Sequence, residues 1–411
     1  MFRPMQVEKV VFGNGEGQLW QRDSAAEASW EPFAGRVQAV YLDPPYLTGD
    51  RMERRRPLGE EGWRTGKPLL TSEGYLDRYE NREEYLATLR GLLLSTRELL
   101  TETGVVMLHL DWHTAAWGRI LLDELFGEDC FMNEVIWAYE SGGRAKRCFS
   151  RKHDNILLYG RTPHWRFDPA RAASQRRDNR RNHLRRGVDE SGRGYGAIVV
   201  RGKEYRYYDD ELVAPGDVWT DISHLQQRDP ERTGWPTQKP QRLLNRLLRC
   251  ALRPGETAAD LCCGSGTALA AARTLNCRVL GCDLSEEALN GTAARLGFRD
   301  VTIQLRGHAS QSRLSGQRLE NGVIFLTGFR AEEIGGIAES PMDDLEAWAS
   351  GSVREGTFYA RETFQRSKKN PALPLMSLTA AGEGIPAVWT MDAAGRSVVF
   401  GWTEEPDDAQ P

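Results

Sequence analysis

The chain is 411 residues long, 40% hydrophobic and 27% charged, with a formal net charge of −4. That length buries a full core and predicts two or three units, while no apolar run approaches the roughly 20 residues of a membrane helix. The amino terminus lacks an export-signal pattern, and the seven scattered cysteines form no paired CxxC units, so a cytoplasmic protein with small buried thiols, no structural zinc and no membrane partner is expected.

In chain order, "VEKVVFGN" (Val7–Asn14) predicts a short strand. "VQAVYLD" (Val37–Asp43) predicts a near-continuously apolar one, covered by helices on both faces. It runs into "DPPY", Asp43–Tyr46. An Asp-Pro dipeptide often starts a turn, but a second proline and a tyrosine make a plain turn a poor explanation. "DRMERRRPLGEEGWRTGK" follows and reads as a mobile loop, with Arg51, Arg54, Arg55 and Arg56 either gripping phosphate or keeping the surface soluble. Tyr75 to Thr101 has helical spacing, "GVVMLHLD" (Gly104–Asp111) is a buried strand, and Thr114–Gly127 is a helix with a glycine stop. His109, Asp111 and His113 alternate in a way that hints at a metal, but hydrogen-bonded roles at a strand end are commoner. "NEVIWAYE" and "DNILLYGR" predict two strands flanking a basic cluster.

From Ser141 to Arg186 fourteen Lys/Arg face three Asp, a concentration inside an acidic chain that points to a polyanion partner. Trp165, Phe167, His164 and His183 add stacking surfaces and favour nucleic acid. Arg144, Lys146, Arg147, Arg176, Arg177, Arg180 and Arg181 are the DNA-binding candidates.

After this region, Pro236–Leu252 predicts a helix, Glu256–Leu275 a strand, glycine turn and helix, and Cys277–Leu296 another strand and helix. Strands alternating with helices argue a doubly wound α/β sheet. Beyond residue 301 short strands and turns prevail, with a hairpin over Pro386–Trp402 and an acidic tail. Four segments are therefore expected: 1–140, a basic region 141–235, 236–300, and a small β-rich domain 301–411.

"DLCCGSGT" (Asp260–Thr267) lacks the third glycine of a dinucleotide fingerprint and the lysine of a phosphate-binding loop. Asp283, 17 residues past Gly266, ends the next strand, where a carboxylate can take both hydroxyls of a ribose. A nucleoside cofactor without a pyrophosphate, such as S-adenosylmethionine, suits that pair; an ordinary helix cap at Asp283 is the competing explanation. Ligands of open α/β sheets bind outside the carboxyl ends of strands, so Asp43 and Gly264 can share one crevice. The exocyclic amine of adenine or cytosine is a poor nucleophile because its lone pair is conjugated. Acceptors on its N–H bonds, from the Asp43 carboxylate and the Pro44 carbonyl, would aim that lone pair at a methyl sulfonium, with Tyr46 stacking on the lifted base.

"DPPY" at Asp43–Tyr46, "PTQKP" at Pro236–Pro240 and "DLCCGSGT" at Asp260–Thr267, in that order, resemble the β group of DNA amino-methyltransferases. These include solitary bacterial adenine methylases and the modification subunits of type III restriction systems. The resemblance covers about residues 7–297 and implies a Rossmann-like methyltransferase fold with permuted motif order and an inserted recognition region. It implies transfer of a methyl group from S-adenosylmethionine to the N6 of adenine in duplex DNA, since Asp at the first motif position favours adenine. Cytosine-N4 methylation and a catalytically idle DNA-binding protein are the alternatives. Carried onto this chain, the catalytic set is Asp43, Pro44, Pro45 and Tyr46. The cofactor set is Asp260, Cys262, Gly264, Ser265, Gly266, Thr267 and Asp283, with Lys239 near the cofactor's carboxylate. A homodimer and a cognate restriction endonuclease join duplex DNA as candidate partners. Two departures stand out: Asp260-Leu261-Cys262 replaces the family's Asp-Pro-Phe, and Gly13-Asn14-Gly15 replaces Gly-Asp-Asn, so that Asn14 would meet the cofactor's adenine with an amide oxygen.

Overall fold

The structure, a computed structural model, describes residues 1–26, 29–140, 145–175, 184–306, 310–332, 340, 342–379 and 382–403. Four short strands open the chain: β1 (Phe2–Met5), β2 (Lys9–Phe12), β3 (Gly17–Gln21) and β4 (Val37–Leu42). All six residues of β4 are buried, as its two-sided apolar pattern requires.

The segment after Gly49, expected to be a mobile loop, is ordered. It forms β5 (Arg51–Pro57), α1 (Gly59–Thr65) and β6 (Leu69–Leu76), with β5 and β6 paired antiparallel. The physical reason is alternation: Arg54 and Arg56 face inward, 3% and 7% exposed. Sequence reading assigns such arginines to the surface because the acids and carbonyls that accept them lie some 300 residues away.

Next, α2 (Arg82–Leu99) starts at an Asn81 cap whose side chain accepts the Glu84 N–H, seven residues later than the helical spacing begins. It is followed by β7 (Leu100–Asp111), α3 (Ala115–Phe126), β8 (Phe131–Ala138) and β9 (His153–Gly160). The basic region contributes β10 (Ser174–Gln175), a small antiparallel sheet of β11 (Arg185–Val188), β12 (Gly194–Val200) and β13 (Lys203–Tyr208), then β14 (Leu212–Val213) and β15 (Val218–Trp219). The chain then forms α4 (Gln241–Ala251), β16 (Thr257–Asp260), α5 (Thr267–Thr274), β17 (Arg278–Asp283), α6 (Glu286–Arg295) and β18 (Val301–Gln304). It closes with β19 (Arg313–Arg318), β20 (Ile324–Arg330), β21 (Leu345–Arg354), β22 (Thr357–Gln365), β23 (Ile385–Asp392) and β24 (Ser397–Trp402).

The centre of the main sheet runs β18-β3-β17-β16-β4-β7 with every neighbouring pair parallel. Leu243, Leu247 and Leu269 of α4 and α5 cover one face, and Leu89, Leu93 and Leu122 of α2 and α3 the other. This is the expected doubly wound arrangement. The decisive register is Ala258↔Ala39, Ala259↔Val40 and Asp260↔Tyr41. It makes β4 and β16 direct neighbours that point the same way, so two chain segments far apart in sequence end together. The carboxyl-terminal strands extend the same sheet: β22 pairs with β2, and β1 closes the far edge against β24. Among the described residues no helix is long and apolar enough to cross a membrane.

Candidate active site

A cavity of about 510 Å³ opens at the carboxyl ends of β4, β16 and β17, with Asp43, Asp260, Gly264 and Asp283 all in its wall. Pro45, Cys262, Ser265, Thr267 and Lys239 also line it, whereas Pro44, Tyr46 and Gly266 are beside lining residues in the chain without being part of the lining themselves. Tyr75 and Trp235 complete it, their rings stacked at 6.4 Å and 21°.

The glycine turn has a specific geometry. Gly264 sits at φ +46°, and a Cβ there would lie 2.8 Å from the Trp235 indole nitrogen. Gly266 caps α5 at φ +70°, where a Cβ would meet Thr292 at 2.6 Å. Both positions need a residue without a side chain. The Gly264 N–H donates to Asp283 Oδ2 at 2.9 Å, and the Ser285 N–H to Oδ1 at 3.0 Å. Burial pushes the Asp283 carboxyl up to about 6, against the opposing pull of those backbone bonds. Asp260 accepts the Cys262 N–H at 3.1 Å, and burial raises its carboxyl well above the usual carboxylate range. The Thr267 hydroxyl lies 3.0 Å from Ser265 Oγ and accepts from Arg295 at 2.9 Å, while Arg295 also pairs with Glu231.

On the β4 side, the Lys239 ammonium donates to both Asp43 oxygens, at 2.8 and 2.7 Å, and to Tyr46 Oη at 3.0 Å. The Tyr46 hydroxyl in turn donates to Asp43. Burial, then the Asp43 charge, hold this phenol well above its usual range. Lys239, expected beside a cofactor carboxylate, is therefore placed on Asp43.

Several participants were not legible in the sequence. The buried Asp77 carboxylate accepts the N–H groups of Tyr46, Leu47 and Thr48 and the Thr48 hydroxyl, at 2.7–3.1 Å. It fixes the bend after Pro45, in which Leu47 adopts φ +60°. Asp77 comes 34 residues after Asp43, and no local spacing announces it. Beneath the site, Tyr41 Oη and His109 Nδ1 lie 2.8 Å apart, His109 Nε2 and Asp154 Oδ2 3.1 Å apart, and Tyr139 donates to Asp154 Oδ1 at 2.9 Å. His109 is thus a fully buried network member, and Asp111 instead accepts the Thr114 N–H and hydroxyl at the start of α3.

Asn14 does not reach the cavity. It lies at the amino end of β3, its Oδ1 accepting the Glu16 N–H and its own N–H donating to Asp300. The wall residues on that strand are Arg22 and Asp23, just past its other end. A parallel strand cannot present both of its ends to one site, which corrects the expectation for Asn14.

The arginines after the "DPPY" motif are tied within the protein. Arg54 donates to the Ala394 carbonyl at 2.6 Å and Arg56 to Glu346 at 3.1 Å, while Arg51 faces Glu73 and Arg55 faces Glu53. In the basic region, Lys146 and Arg147 are exposed on the β8–β9 loop. Arg144, Arg176, Arg177, Arg180 and Arg181 lie outside the described residues. Arg161 and Arg171 donate to the Leu100 and Leu252 carbonyls and Arg166 to Glu256, so part of this positive run braces the fold.

The N6/N4 DNA methylase family profile matches residues 37–295. The chain is 23% identical over 314 residues to the type II methyltransferase M.EcaI of Enterobacter cloacae, covering 65% of this chain and 66% of that protein. It is 26% identical over 127 residues to the type II methyltransferase M.KpnI of Klebsiella pneumoniae, covering 31% of this chain and 27% of that one. The match thus spans just under two thirds of the first relative and about a quarter of the second. Among solved structures, the cytosine-N4-specific PvuII DNA methyltransferase superposes with a TM-score of 0.45 at 12% identity, covering 72% of this chain and 90% of that one.

Proposed function

The chain belongs to the N6/N4 DNA methylase family, and we propose that it methylates the N6 amine of adenine within a specific site of duplex DNA, using S-adenosylmethionine. The observation that carries this reading is the shared cavity: Asp43 and the Gly264 turn face one another across the adjacent ends of β4 and β16.

The donor set suits the cofactor. Asp283 Oδ2 accepts the Gly264 N–H and Oδ1 the Ser285 N–H, and a carboxylate, with about four lone-pair sites, retains capacity for a ribose hydroxyl. The bare backbone of the glycine turn admits a ligand closely, and Thr267, held by Arg295, presents a hydroxyl on the same wall. When bound, S-adenosylmethionine supplies an electrophilic methyl group on a sulfonium.

The remaining work falls to the β4 side. Lys239 fixes the Asp43 carboxylate in direction, its ammonium standing where the N–H donors of a target amine would sit. An arriving amine displaces one of these contacts and gives its hydrogen bonds to Asp43 and the Pro44 carbonyl, which turns its lone pair toward the methyl group. Tyr46, anchored through its hydroxyl, offers a ring beside the base. Lys146, Arg147 and the arginines between 176 and 181 hold the DNA backbone. First position Asp43, rather than serine, supports adenine over cytosine.

Incubation with duplex DNA and methyl-labelled cofactor, followed by digestion to nucleosides, tests the reading. N6-methyladenine supports it. N4-methylcytosine would overturn the choice of base, and unlabelled DNA would overturn the transfer itself.

A further inference from the structure

We propose that Phe149 is a wedge that enters the DNA stack where the target base leaves it; this rests on the reading of the chain as a duplex-DNA methyltransferase. Phe149 is 97% exposed, the most exposed large apolar side chain among the described residues. It stands on the loop between β8 and β9, and the position of that loop follows from register. Leu42 pairs with Leu108, Asp111 with Asp154, and Ala138 with His153. The loop therefore springs from the same sheet edge as Asp43, two strands along, or roughly 10 Å at the usual strand spacing.

The base of the loop is held. The Tyr139 N–H donates to the Lys152 carbonyl at 2.9 Å, and the Ala145 N–H to Ser150 Oγ at 3.0 Å. The Arg151 guanidinium lies 3.6 Å from the ring centre of Trp112, itself on the β7 end of the same edge. From this anchored stem Phe149 projects without a protein partner for its ring among the described residues. The eight residues 145–152 carry Lys146, Arg147, Arg151 and Lys152 and no acid, which matches a phosphate backbone rather than an apolar protein face.

An exposed aromatic flanked in sequence by four cations, beside a cleft that must receive a base from the helix, suits the space that base vacates. Insertion restores stacking for the flanking bases and opposes return of the extruded one.

The test compares binding of the whole chain to two random-sequence duplexes, one intact and one with a single abasic nucleotide, by fluorescence anisotropy without methyl donor. A wedge makes the unmodified chain prefer the duplex with the ready-made gap by about tenfold, the scale of one base–aromatic stack. Phe149→Ala should bind both duplexes alike, and Phe149→Trp should keep the preference. The proposal is overturned if Phe149→Ala keeps the preference, if the unmodified chain has none, or if Phe149→Ala loses binding to both duplexes equally. Because Phe149 is exposed, its replacement leaves the core untouched. The readout needs no methyl transfer, so failure of the wedge and failure of the methyltransferase reading separate cleanly.

Discussion

Asp283 has two tasks at the end of β17: it ties the glycine turn through Gly264 and, on our reading, receives a ribose. Its raised carboxyl gives the second task a pH signature. The folded-state value is about 6 against an ordinary 3.8, because burial disfavours the charge. Ribose hydroxyls donate to a carboxylate and not to a protonated acid, so affinity should be full above pH 6 and fall as pH drops through it. The loss approaches about tenfold per pH unit for a single proton. Calorimetric titration of S-adenosylmethionine between pH 5 and 8 should reveal this acid limb, and Asp283→Asn should flatten it while weakening binding throughout. A limb of the same depth in Asp283→Asn would assign it to another group. At this scale the residues legible in the sequence were those whose neighbours share their motif. Asp43, Gly264 and Asp283 announced themselves. Asp77, Asp154 and the Lys239–Asp43 pair did not, because their partners are 15 to 196 residues away.

Elements place these side chains through strand register and two tight turns. The turn from β16 into α5 has almost no room: at Gly264 a methyl group would both demand a left-handed backbone from an ordinary residue and press on Trp235. Gly264→Ala should therefore cost roughly 1–3 kcal/mol in urea unfolding and weaken cofactor binding as Trp235 is displaced from Tyr75. A variant with unchanged midpoint and unchanged affinity would mean the turn has slack that this geometry denies. Helices α2 to α6, strands β4, β7, β16 and β17 and this turn were readable because period and punctuation are local, whereas the parallel strand β3, in a stretch that reads as helical or irregular, was not. The hairpin β5–β6 was misread as a loop because its inward arginines follow strand alternation with charged residues, a pattern that hydrophobic periodicity does not register.

Over the whole molecule, the segment from 301 onward is joined to the site rather than appended to it. Its strands continue the sheet through β22 and β2, and Glu346 accepts both Arg56 and the Trp63 indole N–H from the hairpin whose strand β6 ends in Tyr75 and Leu76 at the cavity. Burial raises the Glu346 carboxyl even with Arg56 beside it, so the pair is poorly solvated and costly to break. Glu346→Gln leaves Arg56 without its counter-charge and should lower stability by about 3–5 kcal/mol. Unfolding should remain one cooperative transition with or without the substitution. Two resolved transitions, or a loss within 1 kcal/mol (roughly the scale of a surface pair), would show the carboxyl-terminal strands to be independent. None of this was visible in the sequence, where residues beyond 301 resembled nothing and the acids of one end could not be matched to the arginines of the other.

The central claim is that one cleft divides its labour, with Asp43 acting on the amine and the glycine turn holding the donor. Asp43→Ala, assayed for S-adenosylmethionine affinity and for methyl transfer to duplex DNA in the same preparation, tests it most directly. The account predicts a dissociation constant within about twofold of the unmodified chain and a transfer rate lower by at least a hundredfold, the scale seen when a group acting only at the transition state is removed. Retained transfer would contradict it.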